Sequence, residues 1–388
     1  MILSFGAKNY FSFKDGFEVS LELNSKVPKA ISKSKKTSTI LGIKGGNASG
    51  KTNILKCLQF LAFVTSRSFR ANPEDPLPVA SFFDNLKPID FYINFVEKNI
   101  KYTYELTLTP TKILREAISK KIARTIPLIE RKENEIVSNV SELNSAKIIS
   151  LRSNASMIDT IMHYKLDNIG EDITNVYNFF RNFRGNVTGL GPMHDTEIYD
   201  HDKICEFYHR NPEALEFAKR IIKNSDLGIT DIVIHEGVKE NGDPRYFPIF
   251  HHERNDGIDE ERWLTYWEES DGTTALFRRL SQYFRVLEDG GVLIMDEFDT
   301  NYHPALLPQI LNLFLDKHTN PKDAQFIFTS HNLEIMDYLG KYRTYLVAKE
   351  FSESYCYRLD EIPGEIIRND RPISGLYRDG KLGGVPKI

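Results

Sequence analysis

Hydrophobic and polar positions alternate along the first 25 residues, with apolar side chains at Ile2 and Phe5 around Ser4, and again at Phe17, Val19, Leu21 and Leu23. With the turn Lys14-Asp15-Gly16 between them, the pattern predicts a β-hairpin. Residues 26–38 are basic and polar and read as a loop. Residues 39–43 form a short β-branched run that predicts a strand, and residues 53–61 repeat apolar positions at helical spacing. The prolines of residues 71–78 break any helix there. Two strand-like runs follow, at 90–96 and 101–108. From about residue 112 to 236 helical patterns dominate, as at 204–223, with irregular glycine-rich pieces such as 185–192. Strand and helix alternate again from Leu264, with helices predicted over 273–287 and 305–316 and strands over 291–295 and 325–329. That last pattern implies a parallel sheet in an α/β fold. Three regions result: an N-terminal lobe (1–111), a mainly helical insertion (112–236) and a C-terminal lobe (237–388). The insertion suits an arm for dimerisation, partner docking or nucleic-acid contact.

Between the strand at 39–43 and the helix from 53, the chain reads Gly45-Gly46-Asn47-Ala48-Ser49-Gly50-Lys51-Thr52, a complete G-x-x-x-x-G-K-[ST] phosphate loop. Gly45 and Gly50 permit backbone angles that let successive N–H groups converge on phosphate oxygens. Lys51 reaches the β- and γ-phosphates, and the Thr52 hydroxyl is a ligand for Mg²⁺. The phosphates then sit at a helix N-terminus, where the macrodipole favours anions. Residues 45–53, including Asn53, are therefore candidates for binding ATP.

A second motif lies downstream. Val292-Leu-Ile-Met-Asp-Glu297 is an apolar strand ending in two carboxylates. Asp296 is placed to hold Mg²⁺ with Thr52, and Glu297 to polarise the water that attacks the γ-phosphorus. Around them stand Glu269-Ser-Asp-Gly-Thr273 before a helix, with Thr273 as a candidate N-cap, the polar loop Phe298-Asp-Thr-Asn-Tyr-His-Pro304, and Phe326-Ile-Phe-Thr-Ser-His331.

The order and spacing of these pieces resemble the ABC/SMC-type ATPase layout. The resemblance implies an ABC-ATPase-like P-loop fold with an N-terminal antiparallel β subdomain. It implies that Lys51 and Thr52 of one protomer face Ser270 and Gly272 of another across bound ATP, in a head-to-tail dimer or a higher even oligomer. It makes Asp299 the aspartate of the loop that crosses between protomers, and His331 the residue that senses the γ-phosphate. Glu297, His331 and Lys51 are then the catalytic set. The segments Asn9-Tyr-Phe-Ser-Phe13, Asp226-Leu-Gly-Ile-Thr-Asp-Ile232, Asp296-Glu-Phe-Asp299 with His303-Pro304, and Gly383-Gly-Val-Pro386 narrow it further. They look like stand-alone ABC-type ATPases of bacterial abortive-infection and other phage-defence operons, similar to the ATPase half of OLD-family proteins. Two departures stand out: no glutamine is assigned to the Q-loop, since Gln59 lies within the first helix, and the signature keeps only Ser270 and Gly272 of Leu-Ser-Gly-Gly-Gln. The stretch after His331 is short for the Toprim nuclease of OLD proteins, so an effector such as a nuclease or toxin is expected on a separate partner.

Composition bounds the partners. The 388 residues are 41% hydrophobic and 27% charged, with a formal charge of −4, so no global field draws the chain to nucleic acid. Two local stretches could do so. Residues 112–132 carry Lys112, Arg115, Lys120, Lys121, Arg124, Arg131 and Lys132 against Glu116 and Glu130, and Phe179-Phe-Arg-Asn-Phe-Arg184 interleaves aromatics with arginines. Each has a plainer reading, as a solvated helical face and as core aromatics. Cys57, Cys205 and Cys356 are too scattered for a metal site and read as free thiols. Without a leader or a long apolar run, a cytoplasmic protein is expected, not a membrane one. The spacing of Lys51 and Ser270 is longer than a transporter subunit needs, and the heptads of an SMC coiled coil are absent. The leading expectation is an ATP-hydrolysing sensor that regulates an effector in phage defence. The alternatives are an SMC-like repair or recombination ATPase acting on DNA, and an ATP-gated scaffold with little turnover.

Overall fold

A computed structural model describes residues 1–164, 166, 169–193, 200–225, 228–253, 262–364, 366–369 and 371–384. The predicted hairpin forms as β1 (Ile2–Lys8) and β2 (Phe17–Ser20), and β1 continues into β4 (Ile89–Glu97) and β5 (Ile100–Thr109). The short helix α1 (Lys29–Ser32) sits in the basic loop. Residues 112–139, expected to open the helical insertion, are instead β6 (Lys112–Lys121), β7 (Thr125–Lys132) and β8 (Glu135–Asn139). They complete a seven-stranded antiparallel sheet ordered β2-β1-β4-β5-β6-β7-β8. Lysine and glutamate are weak strand formers, yet here cross-strand pairing and the buried Ile113, Ile118, Leu128 and Ile129 override propensity.

Helices follow only after this sheet: α3 (Met157–His163), α4 (Glu171–Arg181), α5 (His201–Arg210) and α6 (Pro212–Ser225). The single helix expected over 204–223 is divided at Pro212, which lacks an N–H and opens the second helix. A small sheet of β10 (Ile229–Val238), β11 (Pro244–His252) and β12 (Arg262–Thr265) comes next. The expected boundary at 236/237 falls inside β10. Asp226 and Leu227 of the segment quoted above, and Val385 and Pro386, lie outside the described residues.

The core sheet is ordered β16-β15-β3-β14-β13-β9, built from β3 (Ile40–Gly45), β9 (Phe183–Gly185), β13 (Val292–Met295), β14 (Gln325–Thr329), β15 (Thr344–Glu350) and β16 (Glu353–Arg358). All its pairs are parallel except β15–β16. Strands β3, β13 and β14 are buried along their whole length, as parallel strands covered on both faces must be. Ile43, Ile294, Ile327 and Val347 point to a core shared with α2 (Lys51–Ser66) and the antiparallel sheet. Leu293, Met295, Phe326 and Phe328 point the other way, against α5, α6, α7 (Asp271–Asp289) and α8 (Leu307–Leu315). Gln325 ties the two large sheets together, accepting from Ile2 N at 2.5 Å and donating to Ile2 O at 3.0 Å. Among the described residues, the remaining α-helices are α9 (Glu334–Leu339) and α10 (Ile373–Arg378).

Parts of both stretches that suggested nucleic-acid contact are engaged within the chain, while Lys121, Arg124 and Lys132 are exposed. Arg115 pairs with Glu105 and Glu130, Lys112 with Glu133 and Lys120 with Asp172. Arg131 is fully buried opposite Glu116. Its guanidinium donates to the carbonyls of Glu133, Ala155 and Arg152, while Glu116 accepts from Met157 N, Tyr104 Oη and Ser156 Oγ. Phe179, Phe180 and Phe183 are core residues, and Phe179 stacks on Phe95 with ring centres 4.0 Å apart. Truncating Glu116 to Ala would strand a buried guanidinium and is expected to cost about 3–5 kcal/mol, whereas Glu116→Gln should cost less. Urea unfolding of the two variants checks this.

Candidate nucleotide site

The phosphate loop leaves the carboxyl end of β3 and enters α2 at Lys51. Gly50 caps the helix at φ +109°, and a Cβ on Gly45 would lie 2.2 Å from the Val347 carbonyl oxygen. Neither position accepts a side chain, as a loop that brings its backbone close to phosphate requires. Asn47 and Ala48 are exposed, while Ser49 is buried and its Oγ has no hydrogen-bond partner. Lys51 Nζ donates to the Gly45 and Gly46 carbonyls at 3.0 and 2.9 Å. Burial lowers its pKa, against the opposing pull of Asp296 and Glu297. Asn53 donates to Ser12 Oγ at 2.9 Å, and Ser354 Oγ bridges Ser12 and the Ser49 carbonyl. Gly46 N donates to the Gly384 carbonyl at 3.0 Å.

Strands β13 and β14 end beside this loop because they run parallel to β3. Asp296, the first residue after β13, accepts from Thr52 Oγ1 at 2.7 Å through one oxygen and from Thr329 Oγ1 at 2.5 Å through the other. Asn186, which follows β9, clasps the Asp296 backbone, accepting from its N–H at 2.7 Å and donating to its carbonyl at 2.9 Å. Glu297 has φ +47°, a turn that lifts its side chain off the strand axis into solvent. Its carboxylate meets His331 Nε2 at 3.2 Å. Asp299 accepts from the backbone N–H groups of His331 and Asn332 at 3.1 and 2.9 Å, so it fixes the turn after β14 within its own chain. Lys44, on β3, donates to the His331 carbonyl. Burial lowers its pKa to about 8, with Asp299 pulling upward and Lys51 downward.

Ser270 and Gly272 stand elsewhere. They line a cleft of ≈ 580 Å³ with Asn224, Asn301 and His303, and no residue of the phosphate loop borders it. Ser270, and not Thr273, is the N-cap of α7: its Oγ accepts from Thr273 N at 3.1 Å. The serine is one residue before the first helical φ/ψ, where its side chain can turn back onto the helix.

The residues fit a magnesium nucleotide. Thr52 and Asp296 offer adjoining hard oxygen donors, which suit Mg²⁺ completed by phosphate oxygens. Among the described residues, no group of three His, Cys, Asp or Glu side chains would hold a metal by itself. No helix is long and apolar enough to cross a membrane. Fold and site together define a P-loop nucleotide-binding protein with mixed α/β architecture. The family described as "AAA domain, putative AbiEii toxin, Type IV TA system" matches residues 40–337, and the chain belongs to it. No curated protein matches the chain. Among solved structures, the SmcHead bound to the C-winged helix domain of ScpA is 15% identical, with 92% of this chain and 96% of that one covered and a TM-score of 0.46.

Sequence reading missed Asn186, Thr329 and Lys44. Asn186 had no motif, Thr329 is an ordinary strand residue, and Lys44 is a lone cation at the end of an apolar run. Asn186→Ala should destabilise the fold by about 1–3 kcal/mol, because it strands two buried backbone groups, as a shift in the urea midpoint would report. For Lys44, the unfolded chain still holds a proton between pH 8 and the ordinary lysine value of 10.5 that the folded chain has released. Stability must therefore rise with pH across that window through this group. Lys44→Met should flatten that rise, measured by urea unfolding at several pH values.

Proposed function

We propose that this protein hydrolyses ATP in a head-to-tail dimer or higher even oligomer, and that its nucleotide state regulates a separate effector in bacterial anti-phage defence. The observation that carries the hydrolytic reading is the meeting of the phosphate loop with the strand-end carboxylates: Thr52 on Asp296 at 2.7 Å, and Glu297 beside it within 3.2 Å of His331. With ATP in the loop, Lys51 exchanges its own loop carbonyls for phosphate oxygens. Mg²⁺ held by Thr52 and Asp296 would neutralise charge on the β- and γ-phosphates. Glu297 accepts a proton from a water whose oxygen bonds to the γ-phosphorus, as the bond to the β–γ bridging oxygen breaks and ADP departs. His331 orients the Glu297 carboxylate through their hydrogen bond.

Support for a composite pocket comes from Ser270 and Gly272, which open into a cleft apart from their own chain's phosphate loop. A second protomer would bring its triphosphate there, so ATP would favour closure and hydrolysis would release it. The family description, with its toxin of a type IV toxin–antitoxin system, fits a defence module. The effector would be a nuclease or toxin supplied by a neighbouring gene.

Glu297→Gln is expected to lower turnover by about 100-fold or more while ATP still binds. With ATP and Mg²⁺ it should collect as a species of twice the 44.7 kDa monomer mass in light scattering. Adding Ser270→Arg should return that species to monomer. Undiminished turnover in the first variant would remove Glu297 from catalysis, and a dimer that survives the second would remove Ser270 from the contact.

A further inference from the structure

The phosphate loop lies at the carboxyl ends of the parallel strands; their amino ends carry a second cleft, of ≈ 280 Å³. Its walls come from distant parts of the chain. Lys33 enters from the residue after α1, Lys341 and Arg343 from the approach to β15, and Arg371 from the approach to α10. Asp337, on α9, is the acidic residue of this lining among the described residues, and its carboxylate is already engaged. One oxygen accepts from Ile373 N at 2.5 Å and Ser374 N at 2.9 Å, the other from Ser374 Oγ at 2.6 Å, so it serves to hold the start of α10.

Among the described residues, Lys33, Lys341, Arg343 and Arg371 have no acidic partner. Lys341 Nζ donates to the Ile367 carbonyl at 3.0 Å and Arg343 Nη2 to the Ile31 carbonyl at 2.6 Å, both neutral acceptors. Arg343 Nε is buried and has no hydrogen-bond partner. Lys33 and Arg371 are exposed at the rim. Among the described residues, none of the four forms an ion pair, whereas Lys112, Arg115 and Lys120 in the stretch first suspected of anion binding all do. With Arg368, which also lines the cleft, five cations converge there on a net-acidic chain and repel one another. A multivalent anion removes that repulsion and gives the guanidinium groups oxygen acceptors in fork geometry.

We propose that this cleft binds phosphate groups, at the end of the core sheet away from the nucleotide. The chemistry is shared by the backbone of a nucleic acid and by a free polyphosphate. The proposal does not depend on the ATP reading, and its test is made on the full chain carrying Lys51→Ala, so that the phosphate loop does not compete.

The probes are a fluorescein-labelled DNA of about 20 nucleotides, single- and double-stranded, followed by anisotropy at low salt, and inorganic tripolyphosphate followed by calorimetry. Lys33→Glu with Arg371→Glu should weaken binding at least about tenfold and make the salt dependence of DNA binding shallower by about two phosphate contacts. The same change of net charge at the exposed Lys87 and Lys132 should leave affinity within about twofold. Arg371→Gln alone, which adds no charge and perturbs folding least, should weaken binding about threefold. Thermal melting verifies that each variant is folded. Binding of DNA identifies a polymer ligand and binding of tripolyphosphate alone a small one; either supports the cleft. No binding of either probe, an unchanged affinity in the Lys33 and Arg371 variants, or an equal loss in the Lys87 and Lys132 control would overturn it.

Discussion

The carboxylate of Asp296 is the point on which the site is assembled. It receives one hydroxyl from the helix that follows the phosphate loop and another from the neighbouring strand end, at 2.7 and 2.5 Å. Charge-assisted bonds of this kind are the stronger ones in a protein. They fix the relative position of β3, β13 and β14 at their carboxyl ends, where side chains beyond the last strand residues are otherwise free to wander. Thr329 does double service, because its hydroxyl also accepts the Glu297 N–H at 2.8 Å. The turn that raises Glu297 toward solvent is thus built on the same hydroxyl that holds Asp296.

Those parts of the fold that were legible in the sequence are those in which a short pattern and its burial agree. Strand β14 runs over the predicted residues, and the glycines at 45 and 50 stand where backbone closeness and a positive φ forbid anything else. Residues 112–139 were misread because their strands are rich in lysine, arginine and glutamate, and only the neighbouring strands turn that composition into a sheet. Strand β9 has three residues and no periodicity to detect. Asn186, Lys44 and the pairing of Asp299 with the His331 turn depend on chain segments more than thirty residues apart, which no local window contains.

Charge was the least legible quantity. A run of basic residues in sequence is divided between the two faces once it becomes strands, and Lys112, Arg115 and Lys120 each find a carboxylate from another segment. Arg131 shows the extreme, buried among three carbonyls with Glu116 opposite. Conversely, Lys33, Lys341 and Arg371 are unremarkable in sequence and converge because β15 lies beside β3 and Arg343 holds α1 through the Ile31 carbonyl.

Strand β9 has a mechanical consequence. Helix α4 is joined to it through a single residue, Asn182, and Asn186 at its far end grips the backbone of Asp296. Any shift of α4 would therefore act through this three-residue strand on the backbone of Asp296, and not first on its carboxylate. The outer helical layer and the acid at the end of β13 are thus joined by one edge strand and a pair of hydrogen bonds.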